Sequence, residues 1–265
     1  MTRIAVLGGG IMGEALIIGF NRRLTPAPII VVAEKRADRA EFLVAQHGVS
    51  IASPADACRN ADVIIVVVKP QDLRGVVEEI ASSVDAGALL ISIAAGITTA
   101  SIEAVIPQAN VVRAMPNTPA RIESGVTGVS KGARCSGEAL AKAHELLLSV
   151  GVVIEVSEDL QDAVTAVSGS GPAYLFYLAE GMINGAKAVG LPDETARTSV
   201  IQTLLGAARL LQVGHEDPSV LRANVTSPGG TTAAAIAALD GDEVMASIAQ
   251  AIEAARDRSR ELSAS

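Results

Sequence analysis

The chain has no tryptophan and only three Phe and two Tyr in 265 residues. Aromatic rings therefore cannot dominate its core, which must be filled by Ala, Val, Leu and Ile. Small side chains of this kind let helices and sheets approach closely. Cysteine is equally sparse: Cys58 and Cys135 stand far apart, in no zinc or redox spacing. That excludes a disulfide framework, suits a reducing cytoplasm and gives no reason to expect a metal. Positive charge is also short, with 21 Lys plus Arg against 29 Asp plus Glu and a net charge of −8. No basic block stands out, so nucleic acid and anionic membranes are poor partners. No apolar run approaches the ~20 residues of a membrane span. The longest greasy region of the second half, residues 164–189, carries Glu180 and Lys187 and is broken by glycines. The first residues run straight into a strand with no charged leader, so a soluble, cytoplasmic protein is expected.

What the chain does have is a patterned first half. Ile4–Leu7 is a short apolar run, followed by Gly8-Gly9-Gly10-Ile11-Met12-Gly13 and then a helical stretch to Phe20. Strand, Gly-x-Gly-x-x-Gly, helix is the order a dinucleotide site requires. The first glycine makes the turn, the second admits the pyrophosphate, and the third lets helix pack on strand. A second apolar run, Ile29–Ala33, ends at Glu34, where an acidic residue takes the ribose hydroxyls of NAD. Lys35 and Arg36 follow at once, and a basic pair there suits the additional phosphate of NADP. The two cues conflict, and both cofactors stay open.

Further apolar runs recur at 63–68, 88–93, 111–115, 126–130 and 152–156, with helical stretches such as 38–47, 73–83 and 138–150 between them. Continuous rather than alternating runs predict strands covered on both faces of a largely parallel sheet. The expected fold class is α/β, a Rossmann-like doubly wound sheet over 1–156. Its ligands bind beyond the carboxyl ends of the strands. Val67, Val68, Lys69 and Pro70 lie at one such end, Ala95 and Gly96 at another, and the stiff Pro116-Asn117-Thr118-Pro119 loop at a third.

After residue 156 the strand signal stops. Glu158-Asp159 caps a helix that breaks at Ser168-Gly169-Ser170-Gly171 and resumes beyond Pro172, and further helical patterns run to the end. This predicts an all-α domain over 157–265, with faces too apolar to be covered by so short a chain. A symmetric dimer through that domain is the expected remedy. Within it, Ser227-Pro228-Gly229-Gly230 must be a turn, and Thr231-Thr232 opens an alanine-rich helix. Free N–H groups and the positive end of the helix dipole there can hold a small carboxylate without Arg or Lys.

Six stretches, GGGIMGEAL, VVVKPQDL, ISIAAGIT, VRAMPNTPA, VSGSGPAYLFYLAEG and VTSPGGTTAAAIAALD, are similar in order and spacing to those of the pyrroline-5-carboxylate reductases. The resemblance spans the whole chain. It implies reduction of 1-pyrroline-5-carboxylate to L-proline, the last step of proline biosynthesis, with NADP(H) or alternatively NAD(H) as cofactor. It also implies a helical dimerisation domain, with dimers that assemble into rings such as a decamer. Carried over, Leu7, Gly8, Gly9, Gly10, Ile11, Met12, Val67, Val68, Lys69, Pro70, Ala95, Gly96 and Asn224 line the cofactor. Ser227, Gly230, Thr231 and Thr232 hold the substrate, with Glu158 a neighbour. Members using NADPH often carry a small polar residue and Arg where this chain has Glu34-Lys35-Arg36, which keeps the preference open.

In the expected mechanism the imine nitrogen arrives protonated, so no strong protein acid is required. This fits a chain whose three histidines, His47, His144 and His215, lie in none of these motifs. Thr232 is the expected catalytic hydroxyl at the ring nitrogen, and the Gly230 and Thr231 N–H groups are the expected carboxylate donors. Two rivals remain at this level. A β-hydroxyacid dehydrogenase shares the domain plan but needs a catalytic lysine, for which Lys187 is the candidate. A dinucleotide-binding redox sensor would have no use for a carboxylate pocket.

Overall fold

The computed structural model describes residues 1–214 and 216–264, so His215 lies outside the described residues. Its first half alternates strand and helix. The order is β1 Arg3–Leu7, α1 Ile11–Arg23, β2 Ile29–Ala33, α2 Ala37–His47, β3 Ser50–Ile51, α3 Pro54–Cys58, β4 Val63–Val66 and α4 Pro70–Ile80. Then come β5 Leu89–Ser92, α5 Thr99–Val105, β6 Asn110–Met115, β7 Gly125–Lys131, α6 Gly137–Leu147 and β8 Gly151–Glu155. One sheet holds all eight strands in the order β3-β2-β1-β4-β5-β6-β7-β8. Every pairing is parallel except β6 with β7, where Met115 faces Gly128. The order reverses at β1, and β1, β2 and β4 end together at Leu7, Ala33 and Val66. In an open α/β sheet that reversal opens the ligand crevice.

Continuous apolar strands behave as their composition dictates. Val63–Val66 and Leu89–Ser92 are buried along their whole length. Two apolar clusters flank the sheet, one including Ile4, Val6, Leu16 and Phe20 and the other Ala5, Leu7, Ile64 and Ile80. Alternate residues of β1 serve opposite clusters, as the two-residue pleat requires. The run at 152–156 departs from expectation. It forms β8, which pairs with β7 at the end of the sheet, and Val152 and Ile154 stay exposed.

By contact density the chain divides into two units, residues 1–170 with 255–265, and residues 171–254. At the end of the first unit the break expected at Ser168-Gly169-Ser170-Gly171 is present: α-helical order stops at Val164 and returns only at Gly171. After α7, Gln161–Val164, residues Thr165–Gly169 form a π-turn, and the Ser170 N–H reaches the Thr165 carbonyl at 2.8 Å. Local side chains explain the widening. Thr165 Oγ1 donates to the Gln161 carbonyl at 2.8 Å, and Ser168 Oγ to the Val164 carbonyl at 2.9 Å. Such back-bonding competes with the helical ladder, and α-helical order resumes only at Gly171.

The second unit contains α8 Gly171–Ala188, α9 Asp193–Val213, α10 Pro218–Asn224, α11 Thr231–Gly241 and the first half of α12, Val244–Ala264. Pro172 sits in the first turn of α8, where its missing N–H costs nothing. The α8 face carries Phe176 and Tyr177, the latter 80% exposed. Among the described residues, no helix is long and apolar enough to cross a membrane.

Candidate functional site

The glycine turn joins β1 to α1. Gly8 has φ +111°, open to glycine at little cost, and a Cβ there would meet the Val67 carbonyl oxygen at 2.8 Å. A Cβ on Gly13 would collide with the Gly8 carbonyl, so the third glycine lets α1 settle on the turn. Gly10 is the N-cap of α1 and has open space where its Cβ would stand. No side chain caps that end, so the first N–H groups of α1 are available to an anion. These features fit a dinucleotide pyrophosphate.

Around the turn, the expected cofactor residues gather at the carboxyl ends of the strands. Leu7 is buried at the end of β1, while Ile11 is exposed and Met12 half-buried at the start of α1. Val67 and Val68 are half-buried just past β4, and the Val67 N–H donates to the Leu7 carbonyl at 2.8 Å. Lys69 is the N-cap of α4 and Pro70 its first residue, both exposed. Ala95 and Gly96 follow β5, with Gly96 at φ +77°.

Glu34 points inward. Its carboxylate accepts the Gly9 N–H and the Arg36 N–H, each at 2.9 Å, and its side chain is 11% exposed. Arg36 lies 64% exposed, with its Nε 3.7 Å from Glu34. The acidic cue is thus built into the turn, and Lys35 and Arg36 stand at the surface. Three residues that were not singled out complete the support. Arg39 Nε donates to the Gly9 carbonyl at 2.7 Å and its Nη2 to Glu14 Oε2 at 2.6 Å. His47 Nε2 lies 3.0 Å from Glu14 Oε1. Burial works to raise the Glu14 pKa, but the Arg39 and His47 hydrogen bonds outweigh it and hold the carboxyl below its ordinary range.

Glu158 and Asn117 each brace a loop at the strand ends. Glu158 accepts the Thr99 N–H at 2.7 Å and the Thr99 hydroxyl at 2.8 Å, with the buried Arg113 Nη1 at 3.6 Å. Its carboxylate holds the first residue of α5, just after the loop that carries Ala95 and Gly96. Arg113 was missed because its run, 111–115, reads as a plain strand. Asn117 is 9% exposed: its Nδ2 donates to the Ser168 carbonyl at 3.1 Å and its Oδ1 accepts the Val126 N–H at 3.0 Å. It ties the proline-bracketed loop to the π-turn.

In the second unit Asn224 ends α10, exposed, and Ser227-Pro228-Gly229-Gly230 forms the expected turn with Gly229 at φ +69°. The Gly230 N–H does not stand free, because it donates to the Ser227 carbonyl at 3.0 Å. Gly230 is the N-cap of α11, and no side chain caps the helix. The donors there are therefore Thr231, Thr232 and the next residue, since the first turn of a helix leaves its N–H groups without partners. Thr232 is half-buried and Thr231 exposed.

Other candidates have structural employment. Lys187 Nζ pairs with Asp193 Oδ1 at 3.0 Å between α8 and α9. Burial, reinforced by the Glu79 charge, pushes the Cys58 thiol up to about 12, which leaves it a packing group. Among the described residues, no three His, Cys, Asp or Glu side chains are placed to hold a metal.

Residues 158–262 match the family described as pyrroline-5-carboxylate reductase dimerisation, and residues 3–96 match the one described as NADP oxidoreductase, coenzyme F420-dependent. The pyrroline-5-carboxylate reductase of Mycobacterium tuberculosis is 40% identical, across 99% of this chain and 97% of that protein. The solved Coxiella burnetii enzyme of the same name superposes with TM-score 0.92 at 35% identity, covering 99% of this chain and 98% of that one. The Plasmodium falciparum pyrroline carboxylate reductase, solved with NADP bound, gives TM-score 0.86 at 25% identity, covering 99% and 98%. Likeness of that depth through both halves of the sequence leaves one assignment: the chain belongs to the pyrroline-5-carboxylate reductase family of NAD(P)H-dependent oxidoreductases.

Proposed function

We propose that this chain reduces 1-pyrroline-5-carboxylate to L-proline, with NADPH as hydride donor and NADH as the alternative. The observation that carries this reading is the start of α11, where the Ser227–Gly230 turn delivers uncapped N–H groups into an alanine-rich helix. A carboxylate of the substrate's size is the anion such a helix start holds without a cationic side chain. The bound nicotinamide supplies the hydride, which is received by the imine carbon. The Thr231 and Thr232 N–H groups take the carboxylate, with Ser227 beside them across the turn. The Thr232 hydroxyl accepts a hydrogen bond from the protonated ring nitrogen and fixes which face of the imine is presented. No general acid is needed, because the nitrogen already carries its proton. Catalysis is then mainly positioning of two planar partners.

On the cofactor side, Gly10, Ile11 and Met12 present backbone to the pyrophosphate, and Val67, Val68, Lys69, Pro70, Ala95 and Gly96 border the rest. Asn224 is assigned to the cofactor from the resemblance, and Glu158 acts indirectly, by bracing Thr99. Residues 1–156 form the cofactor domain and 157–265 the substrate and dimerisation domain. The assembly is a homodimer, with a decameric ring as the higher form, and it resides in the cytoplasm, where Cys58 and Cys135 stay reduced.

The test is loss of reduced-cofactor absorbance on adding 1-pyrroline-5-carboxylate, run in parallel with NADH and NADPH, with proline identified as product. Faster turnover with NADPH assigns the preference to Lys35 and Arg36, and faster turnover with NADH assigns it to Glu34. Binding of both cofactors without consumption of either would sink the reductase reading in favour of a sensor.

A further inference from the structure

Gly9 is flanked by two peptide units, and side chains of the second β–α unit hold both. A trans peptide carries its N–H and C=O on opposite sides, so fixing one end aims the other. In the Gly8–Gly9 unit the N–H goes to Glu34 Oε2 at 2.9 Å, and the carbonyl lies against Gly13. In the Gly9–Gly10 unit the carbonyl accepts Arg39 Nε at 2.7 Å, so the Gly10 N–H must point away from Arg39. It points from the N-cap of α1, at the glycine whose Cβ position is open space.

Arg39 is itself held. Its Nη2 donates to Glu14 Oε2 at 2.6 Å, its guanidinium carbon stands 5.0 Å from the Phe42 ring centre, and its side chain is 15% exposed. A surface ion pair would account for the Glu14 contact but not for the Nε donated to a main-chain carbonyl of the turn.

We propose that Arg39 is a positioning residue for the cofactor pyrophosphate, acting through the Gly9–Gly10 peptide and independently of any phosphate on the ribose. The inference rests on the dinucleotide-dependent reading above. Glu34 and Arg39 set the two peptides, and Glu14, with His47 at its other oxygen, sets Arg39.

The experiment compares the unaltered chain with Arg39→Met, using two probes in calorimetry and both cofactors in turnover. ADP-ribose carries the pyrophosphate without a ribose phosphate, and adenosine 2′-monophosphate carries the ribose phosphate without the pyrophosphate. ADP-ribose binding weakens about tenfold, the loss expected for one charge-assisted hydrogen bond. KM rises by the same factor for NADH and NADPH, kcat at saturation stays within about twofold, and adenosine 2′-monophosphate binding is unchanged. ADP-ribose binding retained in Arg39→Met overturns the inference. So does a loss confined to adenosine 2′-monophosphate and NADPH, which would put Arg39 in direct contact with the ribose phosphate. If Arg39→Met does not fold, Arg39→Lys and Glu14→Gln are read in the same assays. About threefold weaker ADP-ribose binding in both supports the brace, and unchanged binding in both overturns it. An unaltered chain that fails to bind ADP-ribose indicts the cofactor reading, whereas binding kept by the variant indicts Arg39 alone.

Discussion

The two units bury their apolar residues very differently. Residues 1–170 hold nearly every buried apolar side chain, with Ile4, Leu16, Phe20, Ile64 and Leu90 fully enclosed. Among the described residues of 171–254, only Ala196 and Val200 are buried apolar positions, while Leu175, Phe176, Tyr177, Leu205 and Leu211 are exposed. The sheet unit contains its own core. The helical unit has apolar faces without one, and a match to a dimerisation family explains what covers them. Stability of the first unit is therefore a property of one chain, and that of the second depends on concentration.

The largest effect should come from Phe176→Asp, a charge placed on the exposed α8 face. Hot-spot truncations weaken interfaces by roughly 2–4 kcal/mol, or about 30- to 1000-fold. Light scattering at micromolar concentration should then find monomer, and an unchanged mass would remove α8 from the interface. Phe20→Ala tests the other side. Emptying a fully buried aromatic site costs about 3–5 kcal/mol, yet oligomer mass should hold wherever the protein is folded. A lowered mass at full folding would mean that the two units are not independent.

Thr232→Ala sharpens the contrast in function. It should lower kcat by about 3- to 10-fold, the worth of one hydrogen bond, and leave the KM for cofactor unchanged. A loss as large as omitting the cofactor would give Thr232 another role. The smallest effect concerns pH. The Glu14 carboxyl is held below its ordinary value in the folded chain, so its contribution is present above about pH 4.3 and fades as pH falls through the lowered value. Denaturant titrations at descending pH should show a shallower acid loss for Glu14→Gln. Identical slopes for the two proteins would remove Glu14 from the acid response.

Much of this plan was legible in the residues. Apolar runs such as 63–68 declared buried strands, and the glycine spacing at 8–13 declared a turn with three separate steric demands. What stayed hidden depends on contacts between distant positions. Runs of Val and Ile carry no direction, so the antiparallel pairing of β7 could not be read from them. Ser50–Ile51 is too short to show a period. At 168–170 serine and glycine signal a break but not its form, which is a π-turn set by the Thr165 and Ser168 hydroxyls bonding back to the preceding turn. Arg39 and Glu14 looked like ordinary charges on two helices, 25 positions apart. Their joint hold on Gly9 exists only once α1 and α2 lie on the sheet. Glu158 reads as a helix cap and Asn117 as part of a stiff loop, and only the fold shows their bonds to Thr99, Ser168 and Val126.

The placement of the rings in α8 gives the experimenter a regional reporter. Tyr174 and Tyr177 are the chain's two tyrosines, both in that helix, and the chain has no tryptophan. Near-ultraviolet emission therefore originates from the helical unit, with the sheet unit optically silent apart from weak phenylalanine. Its anisotropy during dilution can follow separation of subunits while far-ultraviolet ellipticity follows backbone order. One label-free sample can thus time assembly and unfolding as separate events.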